Sequence, residues 1–363
     1  MKNKTIILLA LLTLIINGTG CTTQTPEVHL KVESLHEIWH FDAQQRILQP
    51  PVSIHEIVTL ITAGQTLITL DAISGEEKWR LDTPAQLWSG SLTTTLDAVT
   101  LAGQDGRVFA LSQKRGIPEW EIGIGGEAQT APLLDRYILF VSATPFENSA
   151  QNAIVYALNA ATGAGLWEFE SRSASLTRAA RGGDWLYVGS STPGDATLYA
   201  LSAAEGTQQW ANQTLEGKLL FITANAESVV VHNSENQLTA LDAATGEIQW
   251  QAQPAEPLIW MHIEDDLLLL AAENQLMGWR IDDGSPQWQA DLDYPLITPP
   301  ILDDARLLIL MENGELRAYA VSTGELESSF QSKIAAPTGM TINGNRIFIV
   351  NQQGQIFAFD SNE

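Results

Sequence analysis

The chain has 363 residues, 43 of them acidic against 19 basic, for a formal net charge of −24. So much negative charge repels phosphate backbones, and no nucleic acid is expected as a partner. The single cysteine excludes an internal disulfide and any multi-thiolate metal site, while an apolar content of 45% can fill a large core.

At the N-terminus Lys2 and Lys4 form a basic start, 6–16 is an apolar run broken only by Thr13, and small residues follow. This is the pattern of a secretory signal over 1–20, too short for a permanent membrane anchor. The segment ends in Gly18-Thr19-Gly20-Cys21, which resembles a bacterial lipoprotein box. The resemblance implies that the Cys21 thiol is lipidated and becomes the mature N-terminus; ordinary cleavage beside an incidental cysteine is the alternative. Thr22 follows, where an aspartate would in enteric-type sorting imply retention in the inner membrane. The implied location is the outer membrane, lipid-anchored and facing the periplasm. From 21 to 34 the chain is polar, without periodicity, and reads as a flexible tether.

The remainder, 35–363, is built on a repeat. Ala240-Leu-Asp-Ala-Ala-Thr-Gly-Glu-Ile-Gln-Trp250 recurs in altered form at Leu70–Trp79 and Ala157–Trp167, and further copies end at Trp120, Trp210 and Trp288. A glycine stands four residues before each tryptophan, at Gly75, Gly116, Gly163, Gly206, Gly246 and Gly284. A seventh copy keeps Gly324 but has Ser328 where tryptophan is due, and an eighth ends at Glu363 before its glycine. The missing end is at the other terminus, where Trp39 lies 40 residues before Trp79.

Each repeat divides into four short strands, at 90–94, 98–102, 107–111 and 118–122 in the second copy. Turn chemistry such as Asp105-Gly106 and Asn313-Gly314 separates the second strand from the third. Repeats of this kind cannot bury both faces alone and must stack radially. The expected fold is all-β: an eight-bladed β-propeller of four-stranded antiparallel blades, closed by an N-terminal strand. Trp39, Trp79, Trp120, Trp167, Trp210, Trp250 and Trp288 are then blade-docking residues. Burying one indole removes on the order of 200 Å² from water, a gross gain of roughly 5 kcal/mol before entropy. The proline pairs Pro50-Pro51 and Pro299-Pro300 are expected on innermost strands, whose free edges tolerate them.

The ALDAATGEIQW segment resembles the tryptophan-docking repeat of the pyrroloquinoline-quinone-type propellers. That superfamily includes the quinoprotein alcohol dehydrogenases and the BamB family of outer-membrane assembly lipoproteins. The BamB family is the more similar, sharing a lipidated cysteine, a tether, N-terminal closure and a seventh repeat without tryptophan. The resemblance implies a non-enzymatic scaffold, a monomeric subunit of a complex, without cofactor. Its implied partner is a periplasmic domain of the barrel-inserting outer-membrane subunit. In that family a loop from the third to the fourth blade supplies the contact. Here the corresponding run is Ser173-Ala-Ser-Leu-Thr-Arg178, which makes Leu176 and Arg178 the candidate partner-binding residues. Aspartates that the family carries at the next junction are absent from Leu215-Glu-Gly-Lys-Leu-Leu220. Service to another envelope complex is the alternative among binding functions.

Other chemistry finds little support. His36-Glu-Ile-Trp-His40 has the H-E-x-x-H form, but on a strand its histidines would stand about 13 Å apart and could not share one zinc. Gly123-Ile-Gly-Gly126 lacks the third glycine of a dinucleotide loop, and the acids at 264–266 and 291–293 read as solvated turns. No metal site is expected. Quinoprotein dehydrogenases typically use a vicinal disulfide, for which this chain has no cysteine pair. Trp88 and Trp260 are the tryptophans with a place near the channel in an enzymatic reading.

Overall fold

The computed structural model describes residues 30–361 except 84–85, 88–89, 95–96, 129, 147–151, 174 and 193–194. Its strands form eight antiparallel sheets in chain order around a ring. Blade 1 consists of Val52–Ile54, Ile57–Ile61, Thr66–Asp71 and Glu77–Asp82, running from the central channel outward. Blades 2 to 7 cover 92–123, 127–170, 180–215, 219–252, 258–291 and 301–331. Blade 8 takes three strands from 337–360 and its outermost from the N-terminus, where His36–Asp42 pairs with Gln355–Asp360. The ring is therefore closed by a strand from the opposite end of the chain, which leaves no blade with an incomplete outer edge.

The strands differ in burial according to their depth. Ile57–Ile61 is buried at every residue, because neighbouring blades cover both its faces. Outer strands such as Glu77–Asp82 alternate between exposed and half-buried. Each hydrophobic cluster joins two blades; one combines Val58, Leu60 and Ile68 with Phe348, Val350 and Ile356, across the closure. Blade 3 departs from the expected four strands, since Glu127–Ala128 and Leu133–Asp135 share its innermost position against Ile138–Thr144.

The repeat motif is a docking device between successive blades. Trp210 of blade 4 lies on the turn of blade 5, where a Cβ built on Gly246 would come within 2.6 Å of Trp210 Cε3. Gly246 also has φ of +72°, so only glycine fits there without strain. The Trp210 Nε1–H donates to the carbonyl of Ala243, three residues before that glycine, at 3.0 Å. The same bond runs from Trp39 to Ala72, Trp79 to Gln113, Trp120 to Ala160, Trp167 to Ala203, Trp250 to Ile281 and Trp288 to Val321. Within its own sheet each indole stands opposite a small residue, as Trp210 does to Ala200 and Trp250 to Ala240, which leaves room for the ring to lie across the strand. The aspartate of the motif serves the turn: Asp242 Oδ1 accepts the amides of Ala244 and Thr245.

Blade 7 breaks this series, and the N-terminus repairs it. Ser328 is on the outer strand Leu326–Gln331, and blade 8 has no third-to-outer turn to receive an indole, because its outer strand arrives from His36. In that space lie Leu30, Val32 and Leu35, 1%, 0% and 6% exposed, in one cluster with Leu316, Ala318, Met340 and Phe359. The expected tether over 21–34 is thus shorter than its polarity implied, for Val32–Ser34 forms a 3-10 turn against the outer strands of blade 7. Ser34 Oγ also donates to the Ser361 carbonyl at 3.3 Å. Alternating His29-Leu30-Lys31-Val32 carries too few apolar residues to register as a packed segment. Cys21 lies outside the described residues.

Candidate functional site

The connection 171–179 leaves the outer strand of blade 3 and enters the inner strand of blade 4. Its Ser171, Ser173, Ser175 and Thr177 alternate, and their hydroxyls compete for backbone partners that a regular strand would use. Ser171 Oγ lies 3.0 Å from the Ala153 carbonyl of blade 3, and Ser173 Oγ 3.4 Å from the Ser191 carbonyl of blade 4. Thr177 is clamped twice to Gly189: its amide donates to the Gly189 carbonyl at 2.8 Å, and its Oγ1 accepts the Gly189 amide at 2.9 Å. Ser191 Oγ in turn accepts the Leu219 amide of blade 5 at 3.1 Å. The connection is therefore held by blades 3 and 4, and the blade 4 strand that holds it is itself bonded to blade 5.

Gly189 allows this convergence. A Cβ there would meet Leu219 Cδ1 at 2.9 Å and Thr177 Cγ2 at 3.0 Å, so the innermost segments of blades 4 and 5 close on one glycine. Between the Leu176–Ser190 bridge and the Ala180–Tyr187 pair the inner strand gains one residue on its partner, a bulge at 177–179.

Leu176 and Arg178 have different fates at this bulge. Leu176 is 7% exposed, packed with Val155, Ala179, Val188 and Tyr199. It offers almost no surface to a partner, and its packing fixes the bulge. The expectation of a direct Leu176 contact gives way to a positioning role, because the bridge to Ser190 turns the side chain into the core. Arg178 is exposed and, among the described residues, makes no hydrogen bond or ion pair. Surrounding protein nevertheless desolvates it, lowering the pKa of its guanidinium from the usual value. Arg181, three residues on, is by contrast bound to Asp135 of blade 3 at 2.7 Å.

A further surface residue escaped the sequence reading. Leu220 is the bulged residue between Leu219 and Phe221 and is 42% exposed. An apolar residue in a strand reads as core, and only the register slip turns it outward. The junction that lacks aspartates therefore presents a leucine beside the exposed Lys218.

The remaining candidates are occupied elsewhere. His36 and His40 are on one strand, opposite Asp360 and Phe357, and His40 Nδ1 is 3.0 Å from Glu37 Oε1. Trp260 stacks on His262 on the inner strand of blade 6, with ring centroids 5.9 Å apart, and Trp88 lies outside the described residues. Asp293 binds Arg317 at 2.7 Å and Asp291 accepts from Gln275 and Gln289. Pro50-Pro51 and Pro299-Pro300 immediately precede the innermost strands of blades 1 and 7. Among the described residues no three His, Cys, Asp or Glu side chains converge on one metal position.

Among solved structures the fold is similar to BamB from Moraxella catarrhalis, with 13% identity, a TM-score of 0.64, and 90% of this chain and 99% of that one covered. It is equally similar to a quinohemoprotein alcohol dehydrogenase from Comamonas testosteroni, with 13% identity, a TM-score of 0.65, and coverage of 91% and 77%. At such identities both share the propeller and nothing finer. Two curated relatives named outer membrane protein assembly factor BamB are each 29% identical, over 131 residues in Moranella endobia and 111 in Nitrosomonas eutropha. These alignments cover 33% and 31% of this chain, and span only 31% and 25% of the relatives. The family model described as outer membrane protein assembly factor BamB matches residues 19–144 and 151–363, nearly the whole propeller, and the chain belongs to that family.

Proposed function

We propose that the protein is a non-enzymatic scaffold lipoprotein of the outer membrane, anchored through Cys21, that supports assembly of β-barrel proteins. It does so by holding a periplasmic domain of the barrel-inserting subunit against the blade 3–blade 4 connection. The family match over 19–144 and 151–363 is the observation that carries this reading. The geometry agrees with it. An exposed arginine without a carboxylate of its own can take one from a partner in a charge-assisted hydrogen bond. The hydroxyl bonds of Ser171 and Thr177 to blades 3 and 4 fix the backbone on either side of it beforehand, which limits the backbone ordering entropy lost on binding.

Crosslinking in intact envelopes, followed by identification of the captured protein, tests the reading. Recovery of the barrel-inserting subunit supports it; capture of a different envelope complex in its place refutes the assembly role. The likeness to a quinohemoprotein dehydrogenase motivates one further assay, since quinone and calcium added to the protein should give no dye reduction if it is a scaffold.

A further inference from the structure

We infer that the ring is oriented by its own N-terminal clasp: the blade 7–blade 8 rim faces the lipid surface, and the blade 3–blade 4 connection is presented on the far side. This rests on the reading of Cys21 as the lipid attachment point.

The argument begins where the chain enters the fold. Leu30 and Val32 are buried between blades 7 and 8, Ser34 is bonded to Ser361, and His36–Asp42 follows at once as a paired strand. A load on the tether is therefore taken up at Leu30, at one point of the circumference. Nine residues separate Cys21 from Leu30, and at most about 3.6 Å each they reach roughly 30 Å. A compact domain of this length is roughly 50 Å across on the usual scaling of size with chain length. The tether is shorter than the ring is wide.

Position around the ring follows from the tryptophan series, in which each indole steps to the next blade. The clasp sits between blades 7 and 8, and the 171–179 connection between blades 3 and 4, half a turn away. The clasp enters at the start of an outer strand, His36 opposite Asp360, and the connection leaves at the end of one, Glu170 opposite Ile154, so the two also emerge on opposite faces. Charge opposes resting flat on the clasp face. The face on which the clasp emerges also carries the turns between first and second strands, where Glu56, Asp97, Asp184, Glu227, Asp266 and Asp304 are exposed. Pressing these carboxylates onto phosphate headgroups is repulsive. The ring consequently stands on its clasped rim.

The test uses the lipidated protein bound to vesicles of phosphatidylethanolamine and phosphatidylglycerol carrying an acceptor dye on the headgroup. No other cysteine competes for labelling, so a donor dye is placed at Glu325→Cys or at Thr207→Cys. These positions are equivalent, each following its turn glycine on the same face, in blades 7 and 4. Energy transfer from position 325 should exceed that from 207 several-fold. Equal or reversed transfer from protein whose Cys21 carries lipid by mass spectrometry overturns the orientation alone. Unmodified Cys21 in protein purified from envelopes overturns the anchor reading, and the orientation with it.

Discussion

The hydroxyl of Ser34 donates to the carbonyl of Ser361 at 3.3 Å, tying the first described turn of the chain to the end of its last strand. Around that bond the N-terminus supplies what the eighth repeat lacks. Leu30, Val32 and Leu35 fill the place of the indole that blade 7 lacks at Ser328 and of the glycine turn that blade 8 lacks. Replacing Leu30 with alanine should lower stability by about 2–4 kcal/mol, the usual cost of a large-to-small change at a buried leucine. The midpoint of chemical denaturation checks this, and an unchanged midpoint would show that the segment adds nothing to closure.

Restoring the repeat pattern at blade 7 should therefore do harm. Ser328→Trp creates the consensus tryptophan, yet its site is covered by the Val32–Ser34 turn. The substituted protein should be less stable than the parent, or release its N-terminal segment to protease. A gain in melting temperature would contradict the assignment of that space to residues 30–35.

The docking turns should respond to the smallest possible change. Gly246→Ala combines a left-handed φ with a contact of 2.6 Å to Trp210 Cε3, and αL strain alone costs about 1–3 kcal/mol. Trp210→Ala should cost about 3–5 kcal/mol. Because both act on one contact, the double variant should fall well short of the sum, which a double-mutant cycle in denaturant measures.

His232 gives the fold an acid sensitivity. It is 2% exposed; its Nε2 is 2.9 Å from Asn236 Oδ1, and its Nδ1 has no partner. Burial lowers its pKa below the ordinary 6.5. The unfolded chain then binds the proton more readily than the folded one. The contribution is complete above pH 6.5 and is lost as pH falls from there toward the depressed folded value. His232→Leu should flatten the decline in stability below pH 6.5. Carboxylates such as Asp71, held at about 2 first by its hydrogen bond to Lys78, titrate well below that window.

The blade count, the closure and the second repeat's strands were legible because periodic tryptophans and glycines repeat one local solution seven times. Leu92–Thr94, Ala98–Ala102, Arg107–Ser112 and Pro118–Gly123 fall within two residues of the strands read from sequence. What escaped depends on register and on long-range packing. Leu176 and Leu220 look alike in sequence, yet a bridge to Ser190 buries one and a bulge exposes the other. The alanines opposite the indoles, such as Ala200 and Ala240, were visible in the repeat, but only the cross-strand register gives them a purpose. Leu30 and Val32 were missed because their partners are nearly three hundred residues away.

The central claim is that the protein holds the barrel-inserting subunit through Arg178. The most direct test compares capture of that subunit from envelopes by the parent, by Arg178→Glu and by Arg115→Glu, the last an exposed charge on a blade 2 turn. Arg178→Glu should reduce capture about tenfold or more, as reversing a charge that pairs across an interface does, while Arg115→Glu captures like the parent. Equal capture by Arg178→Glu and the parent, or no capture by any of the three, would contradict the account.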